Sequence, residues 1–141
     1  MSVDTAPARR VNWWNIGLWV VQVLLAALYL FAGFAKLTQP IAALATMNMT
    51  WAPDLPELFV RFVGLMEILG AIGLILPAAT RILPWLTPLA AIGFTILQLS
   101  AIVLHATRGE TAMTLPFNLV LLALGLFVVW GRTRKAPIAP R

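Results

Sequence analysis

The chain contains no cysteine, which excludes disulfides, CxxC redox exchange and thiolate metal sites. A single histidine leaves too few nitrogen ligands for a protein-only zinc site and argues against haem, so no metal is expected. Any redox chemistry then requires a bound organic cofactor or a partner chain. Charge is equally scarce, at 11% of 141 residues, with five Asp and Glu against ten Lys and Arg. The excess of positive charge does not read as nucleic-acid binding, because the basic residues form no patch on a soluble fold.

Apolar sequence fills the space these residues leave. Hydrophobic residues make up 61% of the chain and its mean hydropathy is +0.91, well above the ~45–50% apolar content of soluble domains. Runs at 14–35, 58–76, 85–105 and 115–130 approach or exceed the ~20 helical residues that cross a bilayer. The fourth is long enough only if it begins at Thr111 or Met113. The expected fold is all-α: an integral membrane four-helix antiparallel bundle over residues 14–132, between flexible basic tails at 1–13 and 133–141. The first run is longer than a signal-peptide h-region and no small-residue cleavage site follows it, so an uncleaved first helix is expected.

Arg9, Arg10, Arg81, Arg132, Arg134, Lys135 and Arg141 fall at one end of such a bundle, and Lys36, Arg61 and Arg108 at the other. This asymmetry predicts that both termini are cytoplasmic, with Trp13, Trp14, Trp85 and Trp130 as an interfacial belt. Pro77 and Pro84 are expected to bracket the turn PAATRILP, and Pro116 to lie in the first turn of the last helix. The one sizeable loop, Thr38 to Glu57, contains MNMTWAPDLPE and room for a short helix ahead of Pro53 and Pro56.

Helical residues three and four apart share a face. That spacing places Gln22, Ala26, Tyr29, Gly33 and Lys36 on one stripe, and Val60, Gly64, Glu67, Ala71 and Leu74 on a second. Ala91, Phe94, Gln98, Ala101 and His105 form a third; Thr114, Asn118, Leu121, Gly125 and Val128 form a fourth. Counting from Trp14, Pro77, Trp85 and Trp130 at ~1.5 Å per residue puts Gln22 at ~12 Å, Glu67 at ~15 Å, and Gln98 and Asn118 at ~18 Å. Lys36 and His105 fall at ~30–33 Å, at the outer mouth. The gap of ~15 Å predicts that Glu67 is protonated or hydrated rather than paired with either cation.

Each residue admits a structural reading beside a functional one. Amides in membrane helices serve as interhelical glue for ~0.6–2 kcal/mol each, His105 can simply end a helix, and Lys36 can snorkel to headgroups. Arg61 has a local partner in Glu57, and Arg108 and Glu110 flank Gly109 in a solvated turn. Glu67 is harder to explain structurally, since an ionised acid at a helix centre costs ~2.5–3.5 kcal/mol even on lenient scales.

Four features resemble the DoxX family of small membrane proteins: GFAKL at 33–37, Glu67 in EILGAIGLILP followed by TRI at 80–82, QLSAIVLH ending in His105, and Asn118 in the last helix. The resemblance spans about residues 14–132. It implies a four-helix bundle, usually in a bacterial plasma membrane. For some relatives it implies membership of membrane oxidoreductase complexes, including a thiosulfate:quinone oxidoreductase, and for others redox-stress or assembly roles. It directs attention to Gly33, Lys36, Glu67, His105 and Asn118.

The leading expectation is therefore a membrane subunit that binds a quinone-like ligand in the outer half of the bundle and works with an oxidoreductase partner. Lys36, Glu67, His105, Gln98, Asn118, Gln22, Tyr29 and Gly33 are its ligand-binding candidates, with Glu67 and His105 the candidates for proton transfer. Tyr29, Gly33 and Gly64 would shape an apolar cavity. A non-catalytic scaffold or assembly factor is the alternative; a proton-coupled transporter acting as a homo-oligomer is the third.

Overall fold

The computed structural model describes residues 10–141; Arg9 and the rest of the N-terminal tail before Arg10 lie outside the described residues. Four long helices dominate: α1, Trp13–Thr38; α3, Glu57–Thr80; α4, Leu86–Thr107; and α5, Thr111–Trp130. The six-residue helix α2, Ile41–Thr46, and a 3-10 turn at Ala52–Asp54 occupy the α1–α3 connection. All four long helices are long and apolar enough to cross a membrane. They pack in a ring, α1 on α3, α3 on α4, α4 on α5 and α5 on α1. Large apolar side chains such as Phe31, Phe34, Leu69, Ile96 and Val103 face outward. In water such a surface would be an aggregation hazard; in hydrocarbon it is the solvated face.

The four stripes point inward. Eighteen of their twenty residues are buried, and Ala101 and Thr114 are half-buried. Leu25, Ala26, Tyr29, Ala71, Leu74, Ala91, Phe94, Leu121 and Val128 form the central apolar cluster. The helix boundaries follow from local chemistry. Asn12 caps α1 by accepting from Asn15 N at 3.2 Å. At the other end of α1, the Arg61 guanidinium donates to the carbonyls of Lys36 (2.6 Å) and Gln39 (2.7 Å), which have no helical partner. The same guanidinium meets Glu57 Oε1 at 3.0 Å, so the local pair also caps a neighbouring helix.

The two proline expectations are corrected. Pro77 lies inside α3, which continues to Thr80. A proline there removes the donor for the carbonyl four residues earlier, and that carbonyl, Gly73 O, accepts instead from the buried Thr87 Oγ1 on α4 at 3.1 Å. The turn therefore starts later, at Arg81 and Leu83, both with left-handed backbone (φ 60° and 49°). Pro116 lies in the second turn of α5, because that helix starts at Thr111, the earlier of the two starts expected. Beyond Trp130 the chain makes one wide π-type turn, Gly131–Lys135. The last residues fold back, with Arg81 Nε donating to Ala139 O and Arg141 N donating to Arg81 O, each at 2.9 Å.

Candidate functional site

Gly33 on α1 and Gly64 on α3 set the site, since the absence of side chains lets the two backbones nearly touch. A Cβ at Gly33 would lie 2.6 Å from Gly64 O, and one at Gly64 would lie 2.7 Å from Lys36 Cβ. One turn from each glycine stand Lys36 and Glu67, each only 5% exposed. Lys36 Nζ donates to both Glu67 oxygens at 2.9 Å. The expected separation of the two is thus overturned: they form a closed, buried ion pair.

The error lies in the depth markers. Gln22 Nε2 donates to Leu74 O at 2.6 Å, so Gln22, eight residues from Trp14, is level with a residue only three from Pro77. Trp14 therefore protrudes about 7–8 Å beyond Pro77 at ~1.5 Å per residue. Pro77 is inside its helix rather than at its edge, and the long lysine stem covers the rest of the gap.

Next to the ion pair, Tyr29 stacks on Phe94 with ring centroids 3.7 Å apart and accepts from Gln98 Nε2 at 2.8 Å. Tyr29 is one turn from Gly33, on whose face the Glu67 side chain rests. Among the described residues two buried polar atoms on α4 and α5 have no partner, the Gln98 Oε1 acceptor and the Asn118 Nδ2 donor. An unpaired polar group in the hydrocarbon region costs several kcal/mol, so this free acceptor and free donor require an explanation beyond packing.

The segment between α1 and α3 covers the pair. Leu44 and Ala52 are fully buried and pack with Ala35 and Val60, and the Trp51 ring lies 5.8 Å from Lys36 Nζ. A polar network tethers this cover to the α4–α5 turn. His105 Nδ1 is 2.9 Å from Glu110 Oε2. Arg108 bonds Glu110 Oε1 at 3.1 Å, the Asp54 carboxylate, and Thr50 O at 3.3 Å. Gly109, at φ 71°, makes the turn that brings these groups together. His105 therefore serves the cover, and no hydrogen bond joins it to Glu67.

Arg108, and then His105, hold the Glu110 carboxyl below the usual carboxylate range, while Asp54 and Glu110 push the Arg108 guanidinium up. A lowered carboxyl contributes to the tether above its ordinary range, and that contribution is lost as pH falls through the lowered value. Glu110→Gln should therefore loosen the cover at neutral pH, and acidification below the ordinary carboxylate range should loosen it in the unaltered protein. The fluorine resonance of Trp51 in fluorotryptophan-labelled protein, assigned by Trp51→Phe, reads both changes. A Trp51 signal unmoved by both would show that the tether does not hold the cover.

The sequence model of the DoxX-like family matches residues 20–128. The chain belongs to the DoxX-like family. Searches of curated proteins and of solved structures return no match. The matched stretch of this DoxX-like protein runs from α1 to the last turn of α5, so it contains the ion pair, the Tyr29–Gln98 pair and Asn118. It stops short of Arg132.

The polar groups expected at two depths, Gln22, Glu67, Gln98 and Asn118 below Lys36 and His105 at the mouth, are instead divided among three clusters. Lys36, Glu67, Tyr29, Gln98 and Asn118 belong to the centre, and His105 belongs to the tether. Gln22 lies toward the termini, where its Oε1 accepts from Arg132 Nε at 2.6 Å. Gly33 and Gly64 fill each other's faces instead of opening a cavity. Sequence reasoning missed Arg132, although the α5 stripe extended four residues past Val128 lands on it. It also read Arg108 and Glu110 as solvated turn residues; only the fold reveals Asp54 and Thr50 beside them.

Proposed function

We propose that this DoxX-like membrane protein is a bacterial plasma-membrane subunit, with both termini cytoplasmic, that holds the polar head of a quinone-like ligand for an oxidoreductase partner. The observation that carries this reading is the pair of orphaned groups on the packed helices α4 and α5, Gln98 Oε1, whose amide nitrogen bonds Tyr29, and Asn118 Nδ2. An oxidised quinone carbonyl accepts from Asn118 Nδ2, and a quinol hydroxyl donates to Gln98 Oε1. The Lys36–Glu67 pair nearby exchanges protons with the bound head, and the partner chain supplies the electrons.

Asn118→Leu tests the assignment in two directions. Without ligand it should raise stability by about 1–2 kcal/mol, because it removes an unsatisfied buried donor. It should also weaken binding of a short-chain quinone analogue by about tenfold, read by tryptophan quenching in detergent. If the unaltered protein neither co-purifies with quinone nor binds the analogue, the ligand reading is abandoned. The closed Lys36–Glu67 pair then favours the second reading, a scaffold whose polar layer fixes helix register, and co-purification of a partner chain would support it.

A further inference from the structure

At the end of the bundle where α1 begins and α5 ends, Arg132 is buried, with 4% relative exposure. Its Nε donates to Gln22 Oε1 (2.6 Å) and its Nη1 to Asn15 Oδ1 (2.7 Å) and Ala136 O (3.0 Å), with the guanidinium 5.6 Å from the Trp19 ring. Every one of these acceptors is neutral. Among the described residues Glu67 is taken by Lys36, and Asp54, Glu57 and Glu110 sit at the opposite end. A buried charge needs a counter-charge, and among the described residues Arg132 has none. Its Nη2 is buried and has no hydrogen-bond partner among the described residues.

Arg132 also lines a cavity of about 360 Å3, walled by Pro84, Trp85, Pro88, Thr133 and Pro137. That volume lies within the ~300–1,000 Å3 of small-molecule sites and far exceeds the ~30 Å3 share of one water. Arginine's planar fork matches the oxygens of a phosphate, which supply the missing negative charge. The π-type turn sets this geometry, since the Ala136 N to Gly131 O bond at 2.7 Å turns Ala136 O back onto Arg132. Such turns often mark functional sites.

We propose that this cavity binds a phosphate group, held by the uncompensated charge of Arg132 in its wall and carried by an anionic phospholipid headgroup or free in solution. The site is independent of the quinone reading, because it lies on other residues, at one end of the bundle rather than at its centre. Thr133 forms the wall without bonding Arg132, so Thr133→Glu places a carboxylate in the cavity and Thr133→Gln is its neutral control. Native mass spectrometry in neutral detergent compares phosphatidylglycerol with phosphatidylcholine, and inorganic phosphate is titrated separately with thermal unfolding as the readout.

The unaltered protein should bind one phosphatidylglycerol about tenfold more tightly than phosphatidylcholine. Arg132→Gln and Thr133→Glu should abolish that preference, and Thr133→Gln should keep it. If inorganic phosphate stabilises the protein with the same variant dependence and phosphatidylglycerol shows no preference, the occupant is free phosphate and the site stands. If Arg132→Gln does not fold, the Thr133 pair decides alone. Equal binding of the two lipids together with no phosphate effect, or binding indifferent to Thr133→Glu, overturns the proposal.

Discussion

Replacing either Lys36 or Glu67 by alanine is expected to destabilise the protein by about 3–5 kcal/mol, because each change strands the partner's charge in a buried site. Unfolding in mixed micelles of rising SDS fraction would measure the loss. Glu67→Gln should cost nearly as much: it preserves shape, but an amide cannot neutralise the ammonium that both carboxylate oxygens now hold at 2.9 Å. The double replacement Lys36→Met with Glu67→Leu should recover most of the loss, since well-packed apolar residues commonly substitute for a buried pair at no cost. Recovery gives a large coupling energy between the two positions. A double variant as unstable as the sum of the singles would mean that the pair contributes through packing of each side chain rather than through charge.

The size of that coupling also bears on function. If the apolar double variant is stable yet loses quinone-analogue binding, the pair was kept for chemistry rather than for the fold. If it is stable and retains every measurable property, register alone explains the pair. Asn118→Leu separates the same alternatives from the side of the orphaned groups, so the two experiments check each other on different helices.

The burial pattern could be read from sequence because a membrane helix has little else to vary. Polar and small residues are rare, and when they recur at three and four they mark the buried face; Gln22, Tyr29, Gly33 and Lys36 are all buried as that spacing requires. Axial position could not be read the same way. Depth depends on how far each helix overshoots its neighbours, and that is set by contacts between helices, such as Gln22 against Leu74 O and Thr87 against Gly73 O. Pro77 is the clearest case: it changes from the start of a turn to a residue of the last helical turn once Thr87 compensates for the donor the proline lacks. The His105–Glu110–Arg108–Asp54 network was hidden for a related reason, since Arg108 and Asp54 lie 54 positions apart and meet only after the α1–α3 segment folds over the bundle.

The ion pair exists because α1 and α3 approach closely, so the glycines at the crossing should be as sensitive as the charges. In Gly33→Ala the new methyl meets Gly64 O at 2.6 Å, Ile68 Cγ1 at 2.9 Å and Glu67 Cβ at 3.1 Å; in Gly64→Ala it meets Lys36 Cβ at 2.7 Å and Gly33 O at 2.8 Å. A backbone oxygen in the opposing helix cannot swing aside, so the helices must part. Each substitution should cost about 1–3 kcal/mol in overpacking, and valine at either position more. Parting the helices also stretches the Lys36–Glu67 bonds, so removing the pair should cost less in a Gly33→Ala background than in the unaltered protein. The two alanines together should cost less than the sum, since one displacement accommodates both. Gly93→Ala is the control: its new methyl would meet nothing within 4 Å, and the better helix propensity of alanine should stabilise α4 by about 0.5–1 kcal/mol. If Gly33→Ala and Gly64→Ala behave like Gly93→Ala in SDS unfolding, α1 and α3 do not cross at the separation that the buried pair requires.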